Sequence, residues 1–223
     1  MISCYTGTCG SGKTYHAVQK ILEKLKRGGY AIGNIELNLS EKYASHYRYV
    51  DMYDITIEML TSYAKEVSEK LGRRLKEDEL LLVVDEAQLI FNCRDWNMGG
   101  RKEWTKFFQL HRKLGYGIIL VTQMAKMLDK QIYGVMEYEV IHRKASNFGI
   151  KGKLVSAIML SPTLFVAVTL WAAMREKISV EMIPYSKLLA FRCITSYSIT
   201  PYICLSNIFA ICVTRIIPYP SLR

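Results

Sequence analysis

The chain has 223 residues, half of them hydrophobic, with 30 Lys or Arg against 20 Asp or Glu and a formal charge of +10. That composition excludes a chain disordered throughout, and the length accommodates one α/β domain with a sizeable core and a short appendage. Six cysteines (Cys4, Cys9, Cys93, Cys193, Cys204, Cys212) form no C-x-x-C pair, and no His stands at zinc-ligand spacing from them, which argues against a structural metal and a disulfide framework.

Residues 2–5 form a short strand candidate that ends before a glycine loop. From Thr14 a helix is expected, with Val18, Ile21, Leu22 and Leu25 at helical spacing and Lys20, Lys24 and Lys26 outward. Gly28-Gly29 stops it. Residues 30–35 read as a second strand. Ile57, Leu60, Ala64, Val67 and Leu71 step by three and four and mark a second helix. A charged loop over residues 73–79 leads to Leu80-Leu81-Leu82-Val83-Val84, a continuous apolar run of the kind found in parallel strands buried on both faces. Trp104, Phe107, Phe108, His111 and Leu114 again fall at helical spacing. Residues 115–117 turn the chain into Ile118-Ile119-Leu120-Val121, another buried strand. Strands alternating with helices imply an α/β fold with a parallel sheet.

Beyond Lys153 the pattern changes. Residues 154–174 and 193–214 lack charge altogether, and each is long enough to cross a bilayer on length alone. The first contains Pro162, and its second half is rich in β-branched and aromatic residues. The second is diluted by Ser196, Ser198, Thr200, Pro201, Ser206 and Asn207. The chain opens on Met1-Ile2-Ser3-Cys4-Tyr5 with neither a basic n-region nor a long apolar h-region, so no signal peptide is expected.

Gly7-Thr8-Cys9-Gly10-Ser11-Gly12-Lys13-Thr14 has the spacing G-x4-G-K-T between a strand and a helix, the context a phosphate-binding loop requires. The glycines let successive backbone N–H groups turn inward, and the helix N-terminus adds its positive dipole end. Lys13 is expected to reach the β- and γ-phosphates of ATP or GTP, and Thr14 to offer its hydroxyl to Mg²⁺. Cys9 inside this loop points to a reducing, cytosolic setting. At the end of the apolar run stand Asp85 and Glu86, where ligands of open α/β sheets bind. Asp85 is the expected Mg²⁺ ligand, and Glu86 the residue that orients or deprotonates the attacking water. Thr122 and Gln123 end the next strand at the same edge, where Gln123 could sense the γ-phosphate or position water. Arg112 and Arg143 are candidates for a cation supplied to a neighbouring subunit's nucleotide. Residues 99–153 carry Arg101, Lys102, Lys106, Arg112, Lys113, Lys126, Lys130, Arg143, Lys144, Lys151 and Lys153 against Glu103, Asp129, Glu137 and Glu139, a net +7. That excess suits phosphates, nucleic acid or an anionic membrane face, and equally a solubilising surface.

Taken together, the early phosphate loop, Val84-Asp85-Glu86-Ala87-Gln88, the helix ending His111-Arg112-Lys113-Leu114-Gly115, and Ile119-Leu120-Val121-Thr122-Gln123 resemble the zonula occludens toxin-like (Zot) family. That family includes the gene I assembly ATPases of filamentous phages. Arg143-Lys144-Ala145-Ser146-Asn147-Phe148-Gly149 and the region of Tyr197 extend the likeness over about residues 1–198. The resemblance implies a RecA-like P-loop NTPase core, a parallel sheet flanked by helices, with ATP and Mg²⁺ as cofactors. It implies ATP hydrolysis in the assembly and export of a filamentous single-stranded DNA phage through the host envelope. The partners to expect are further copies of the chain, phage coat or assembly proteins, single-stranded DNA and the host inner membrane. The family pattern places strands where residues 154–174 lie. That leaves residues 193–214 as the better candidate span and divides the chain into a 1–192 ATPase domain and a 193–223 apolar tail. With the chain ending at residue 223, an extracytoplasmic domain is expected to be missing or vestigial. Two rival readings share the site: a DNA-translocating ATPase of the FtsK–HerA kind, and a nucleotide-binding scaffold that hydrolyses little.

Overall fold

The structure, a computed structural model, describes residues 1–92, 101–148 and 163–185. Its strands are β1 (Ile2–Thr6), β2 (Tyr30–Gly33), β3 (Tyr47–Tyr49), β4 (Leu80–Val84), β5 (Tyr116–Val121), β6 (Tyr138–Lys144), β7 (Leu164–Trp171) and β8 (Lys177–Pro184). Its helices are α1 (Lys13–Lys26), α2 (Glu41–Ala44), α3 (Ile57–Leu71), α4 (Arg101–Leu110) and α5 (Lys130–Gly134). The strands form one sheet in the order β3-β2-β4-β5-β1-β6-β7-β8. Strands β1 to β6 are parallel, and β7 and β8 add an antiparallel hairpin to the β6 edge. The expected parallel sheet is therefore present, with an antiparallel extension.

The apolar runs explain the layering. Along β4, Leu80, Leu82 and Val84 pack on one side with Leu60, Ala64 and Val67 of α3 and Phe107 and Phe108 of α4. Leu81 and Val83 pack on the other side with Val18, Ile21, Leu22 and Leu25 of α1. Both faces are covered, so alternation in side-chain direction leaves no polar position in the run. Helix α3 starts where the Thr56 hydroxyl accepts a hydrogen bond from Met59 N at 3.2 Å, and it ends at Gly72 in the left-handed region.

Several boundaries differ from expectation. The second strand ends at Gly33, not residue 35. The turn before β5 is confined to Gly115, because Tyr116 and Gly117 already pair with Leu80 and Leu81 of β4. The periodic stretch ending at Leu114 is α4 followed by a tighter turn over His111–Leu114. The second half of the uncharged 154–174 stretch is β7, buried at Leu164, Phe165 and Ala167, of which Phe165 and Ala167 pack in the α1 layer. Among the described residues no helix is long and apolar enough to cross a membrane. Residues 193–214 and the boundary at 192 lie outside the described residues, as do Cys93 and Tyr197.

Candidate phosphate-binding and metal site

Because β1, β2, β4, β5 and β6 are parallel, their C-terminal ends share one edge. There the phosphate loop leaves β1, Asn34 follows β2, Asp85 and Glu86 follow β4, and Thr122 and Gln123 follow β5. β5 lies between β1 and β4, which sets Gln123 between the loop and the acidic pair.

The loop needs glycine at two places for reasons visible in its packing. Gly7 has φ 143°, and a Cβ there would stand 2.5 Å from the His142 carbonyl oxygen of β6. Gly12 has φ 91°, and a Cβ there would stand 2.5 Å from the Phe165 ring of β7. The loop thus lies directly against two neighbouring strands. Gly12 also precedes α1 without any side-chain cap, so the first-turn N–H groups are left for a ligand. Ser11 Oγ is buried and has no hydrogen-bond partner among the described residues. Thr8 and Cys9 are exposed at the loop's tip. Lys13 is buried, and its Nζ donates to the carbonyls of Gly7 at 2.9 Å and Thr8 at 3.1 Å. The ammonium is therefore held on two neutral acceptors of the same loop that would receive the phosphates.

Thr14 and Asp85, 71 residues apart, meet at the centre. Thr14 Oγ1 donates to Asp85 Oδ2 at 2.8 Å, and Asp85 Oδ1 accepts from Glu86 N at 2.9 Å. Asn34 fixes the backbone of Asp85 from both sides: its Oδ1 accepts from Asp85 N at 2.7 Å and its Nδ2 donates to Asp85 O at 2.9 Å. Glu86 sits in the left-handed region at φ 51°, ψ 42°, a conformation that a side chain rarely adopts and that marks functional sites. Glu86 Oε2 accepts a hydrogen bond from Gln88 Nε2. Gln123 is exposed, and its carbonyl accepts from Gly7 N at 3.2 Å, which ties the end of β5 to the loop.

The donor set fits a nucleotide with Mg²⁺. The uncapped helix start and the glycine cradle suit phosphate, and Thr14 with Asp85 offers the sparse oxygen set that Mg²⁺ takes when phosphates and water complete its shell.

Of the two arginines, Arg143 is exposed near the end of β6, on the loop's edge. Arg112 lies before β5, at the opposite edge, where it pairs with Glu137 at 2.5 Å and Glu77 at 3.1 Å. A residue at the start of a parallel strand is remote from the strand ends that bind ligand, which separates Arg112 from this chain's own phosphate loop. The residues that sequence reading did not assign to the site are Asn34, Gln88, His16 and His142.

Burial, with the nearby Glu86 carboxylate adding to it, raises Asp85 to about 6 from 3.8, against the opposing pull of the Thr14 hydroxyl and Lys13. A carboxyl raised on folding stabilises the fold below its unfolded value and loses that advantage as pH climbs through its folded value. Buried His16 and His142, lowered to about 2 and about 4 by desolvation, act in the opposite sense over the same range. The difference between parent and Asp85→Asn isolates the carboxyl. In nucleotide- and metal-free protein, the Asp85→Asn variant should gain on the parent between pH 4 and 6. At pH 7 the gain should reach on the order of 3 kcal/mol. Chemical denaturation at pH 4 and pH 7 measures it; a difference that does not change with pH would show that Asp85 is not charged at a cost in the empty site.

Known proteins resemble this chain in sequence and in fold. The family profile for zonular occludens toxin (Zot) matches residues 1–198. Gene 1 protein of Enterobacteria phage I2-2 is 32% identical over 166 residues, 69% of this chain and 43% of that protein. Gene 1 protein of Enterobacteria phage M13 is 31% identical over 144 residues, 61% of this chain and 40% of that protein. The chain thus spans less than half the length of these curated relatives. The N-terminal domain of zonular occludens toxin from Neisseria meningitidis superposes with a TM-score of 0.55 at 17% identity, over 86% of this chain and 97% of that one. The genome packaging NTPase B204 of Sulfolobus turreted icosahedral virus 2, in complex with ATP-gammaS, gives 0.51 at 18% identity, over 83% and 98%. The fold is that of P-loop NTPases, and from the family match over most of its length the chain belongs to the zonular occludens toxin family.

Proposed function

We propose that this chain is the ATP-hydrolysing motor domain that drives assembly and export of a filamentous single-stranded DNA phage. The observation that carries the reading is the convergence of Thr14 and Asp85 at 2.8 Å, with Glu86 turned beside them into the left-handed region. Thr14 and Asp85 would hold Mg²⁺, which when bound neutralises charge across the β- and γ-phosphates. The first-turn N–H groups and Lys13 bind the phosphate tail. Glu86 leaves Gln88 to accept a proton from the attacking water at its carboxylate, and Gln123 lines the approach. Support for the phage role comes from the Gene 1 relatives.

In this reading the chain works as a homo-oligomer in which Arg143 of one copy completes the site of the next. Its catalytic domain faces the cytoplasm at the inner membrane, held there by residues 193–214. The test is phosphate release from ATP by the purified chain across a hundredfold range of concentration, alone and with single-stranded DNA, duplex DNA or phage coat protein. Turnover per subunit should rise with concentration and respond to coat protein or single strands. A response to duplex DNA alone would favour a DNA translocase, and no hydrolysis under any condition would favour the scaffold. Complete release of the chain by carbonate extraction of membranes would remove the membrane part of the proposal.

A further inference from the structure

Behind the phosphate loop, on the α1 side of the sheet, two histidines sit inside an otherwise apolar cluster. His16 lies in the first turn of α1 and His142 on β6, and both are almost fully buried. His16 Nδ1 stands 2.8 Å from His142 Nε2. His142 Nδ1 stands 3.3 Å from the Thr6 carbonyl oxygen and 3.0 Å from that of Val140. Carbonyl oxygens only accept, so the hydrogen of His142 is on Nδ1, and its Nε2 accepts from His16 Nδ1–H. The remaining nitrogen, His16 Nε2, then carries no hydrogen and has no hydrogen-bond partner among the described residues; Glu181 Oε2 of β8, also an acceptor, lies 3.5 Å away. The other Glu181 oxygen lies 3.5 Å from Lys20 Nζ, which offsets the approach of the carboxylate. The Tyr5 ring lies against both imidazoles, with centroids 4.8 and 4.9 Å away.

The placement of this line relative to the loop is what gives it meaning. Thr6 is the residue before Gly7, and His16 is two residues past Thr14, so His142 grips both ends of the phosphate loop. Its own carbonyl is the wall against which Gly7 rests. Two polar rings in an apolar cluster cost desolvation that a pair of aliphatic side chains would not, so core filling alone does not account for them.

We propose that His142 is a positioning residue for the phosphate loop, holding its two ends through the Thr6 carbonyl and His16. Nucleotide affinity then depends on a side chain that touches no phosphate. The inference rests on the nucleotide-binding reading above.

The test measures ATP and AMP affinity by titration, beside thermal unfolding, in the full chain. His142→Leu keeps apolar volume and loses both attachments; its ATP affinity should fall about tenfold, the worth of one or two net hydrogen bonds, with little loss for AMP. His142→Asn retains a donor near the Nδ1 position, and His142→Gln retains an amide near the Nε2 position; each should recover part of the loss. If His142→Leu does not fold, the Asn and Gln variants carry the test, and parental ATP affinity in both overturns the proposal. A folded His142→Leu with parental ATP affinity also overturns it, leaving two core histidines. A parent that binds no ATP sinks the nucleotide reading itself and this inference with it.

Discussion

Glu86→Gln should bind ATP about as well as the parent and release phosphate ~10²–10⁴-fold more slowly, the usual worth of a general base. The structure separates the two acids that the sequence sets side by side. Asp85 is buried and bonded to Thr14, whereas Glu86 turns out through a left-handed backbone to Gln88. The substitution keeps the size of the side chain and an oxygen that can still accept from Gln88. It changes neither the Thr14–Asp85 pair nor the Lys13 contacts, so the binding half of the site should remain intact. What it removes is the carboxylate that takes the proton. The variant should accumulate in the ATP-bound state, since nothing resets it. Asp85→Ala should behave differently, losing Mg²⁺-dependent affinity itself together with the anchor for Thr14. Titration of ATP and steady-state phosphate release, run on both variants, distinguish the roles. Hydrolysis by Glu86→Gln at the parental rate would remove Glu86 as the base.

The parts of this site legible in the sequence are those carried by contiguous residues. Gly7 to Thr14 defines its own loop, because the glycines, the lysine and the helix start are local requirements. The uncharged run from Leu80 to Val84 reports burial on both faces and so delivers Asp85 and Glu86 to the ligand edge. Residues that act across the sheet leave no such trace. Asn34 clamps Asp85 from 51 residues away, and His142 meets His16 from 126 residues away, so each reads as an isolated polar residue until the strands are ordered. β3 and α5, at three and five residues, are too short for a period to show. Arg112 illustrates a different limit. Its helical spacing is visible, yet which edge of the sheet it serves depends on the direction in which the chain enters β5. Residues 154–174 are long enough for a span, yet their second half has the composition of a strand. The eight residues of β7 pair with β6 on one side and β8 on the other, so the β-branched residues there answer to a sheet.

Lys13→Ala should abolish most ATP affinity, by on the order of 10²-fold or more, while leaving affinity for AMP nearly unchanged. Lys13 is buried, and desolvation lowers its pKa while the nearby Asp85 carboxylate pulls the other way. Its ammonium lies on the Gly7 and Thr8 carbonyls, poised to exchange two neutral acceptors for anionic phosphate oxygens. Hydrogen bonds to charged groups are worth about 1.5–3 kcal/mol each, so losing two of them in a water-poor loop gives the expected magnitude. The loss should track the phosphate tail, since nothing in the position of Lys13 at the helix start concerns the base or sugar. The ratio of ATP to AMP affinity is therefore the informative quantity, and it should collapse. Truncation also empties the buried space that the lysine stem fills, so a small drop in thermal stability should accompany it. Lys13→Met fills the same space without charge and separates packing from electrostatics: it should retain more stability than Lys13→Ala yet bind ATP no better. Circular dichroism establishes that both variants are folded. A folded Lys13→Ala protein that binds ATP with parental affinity would falsify the assignment of this loop to nucleotide phosphates, and with it the reading of Thr14 and Asp85 as the metal site.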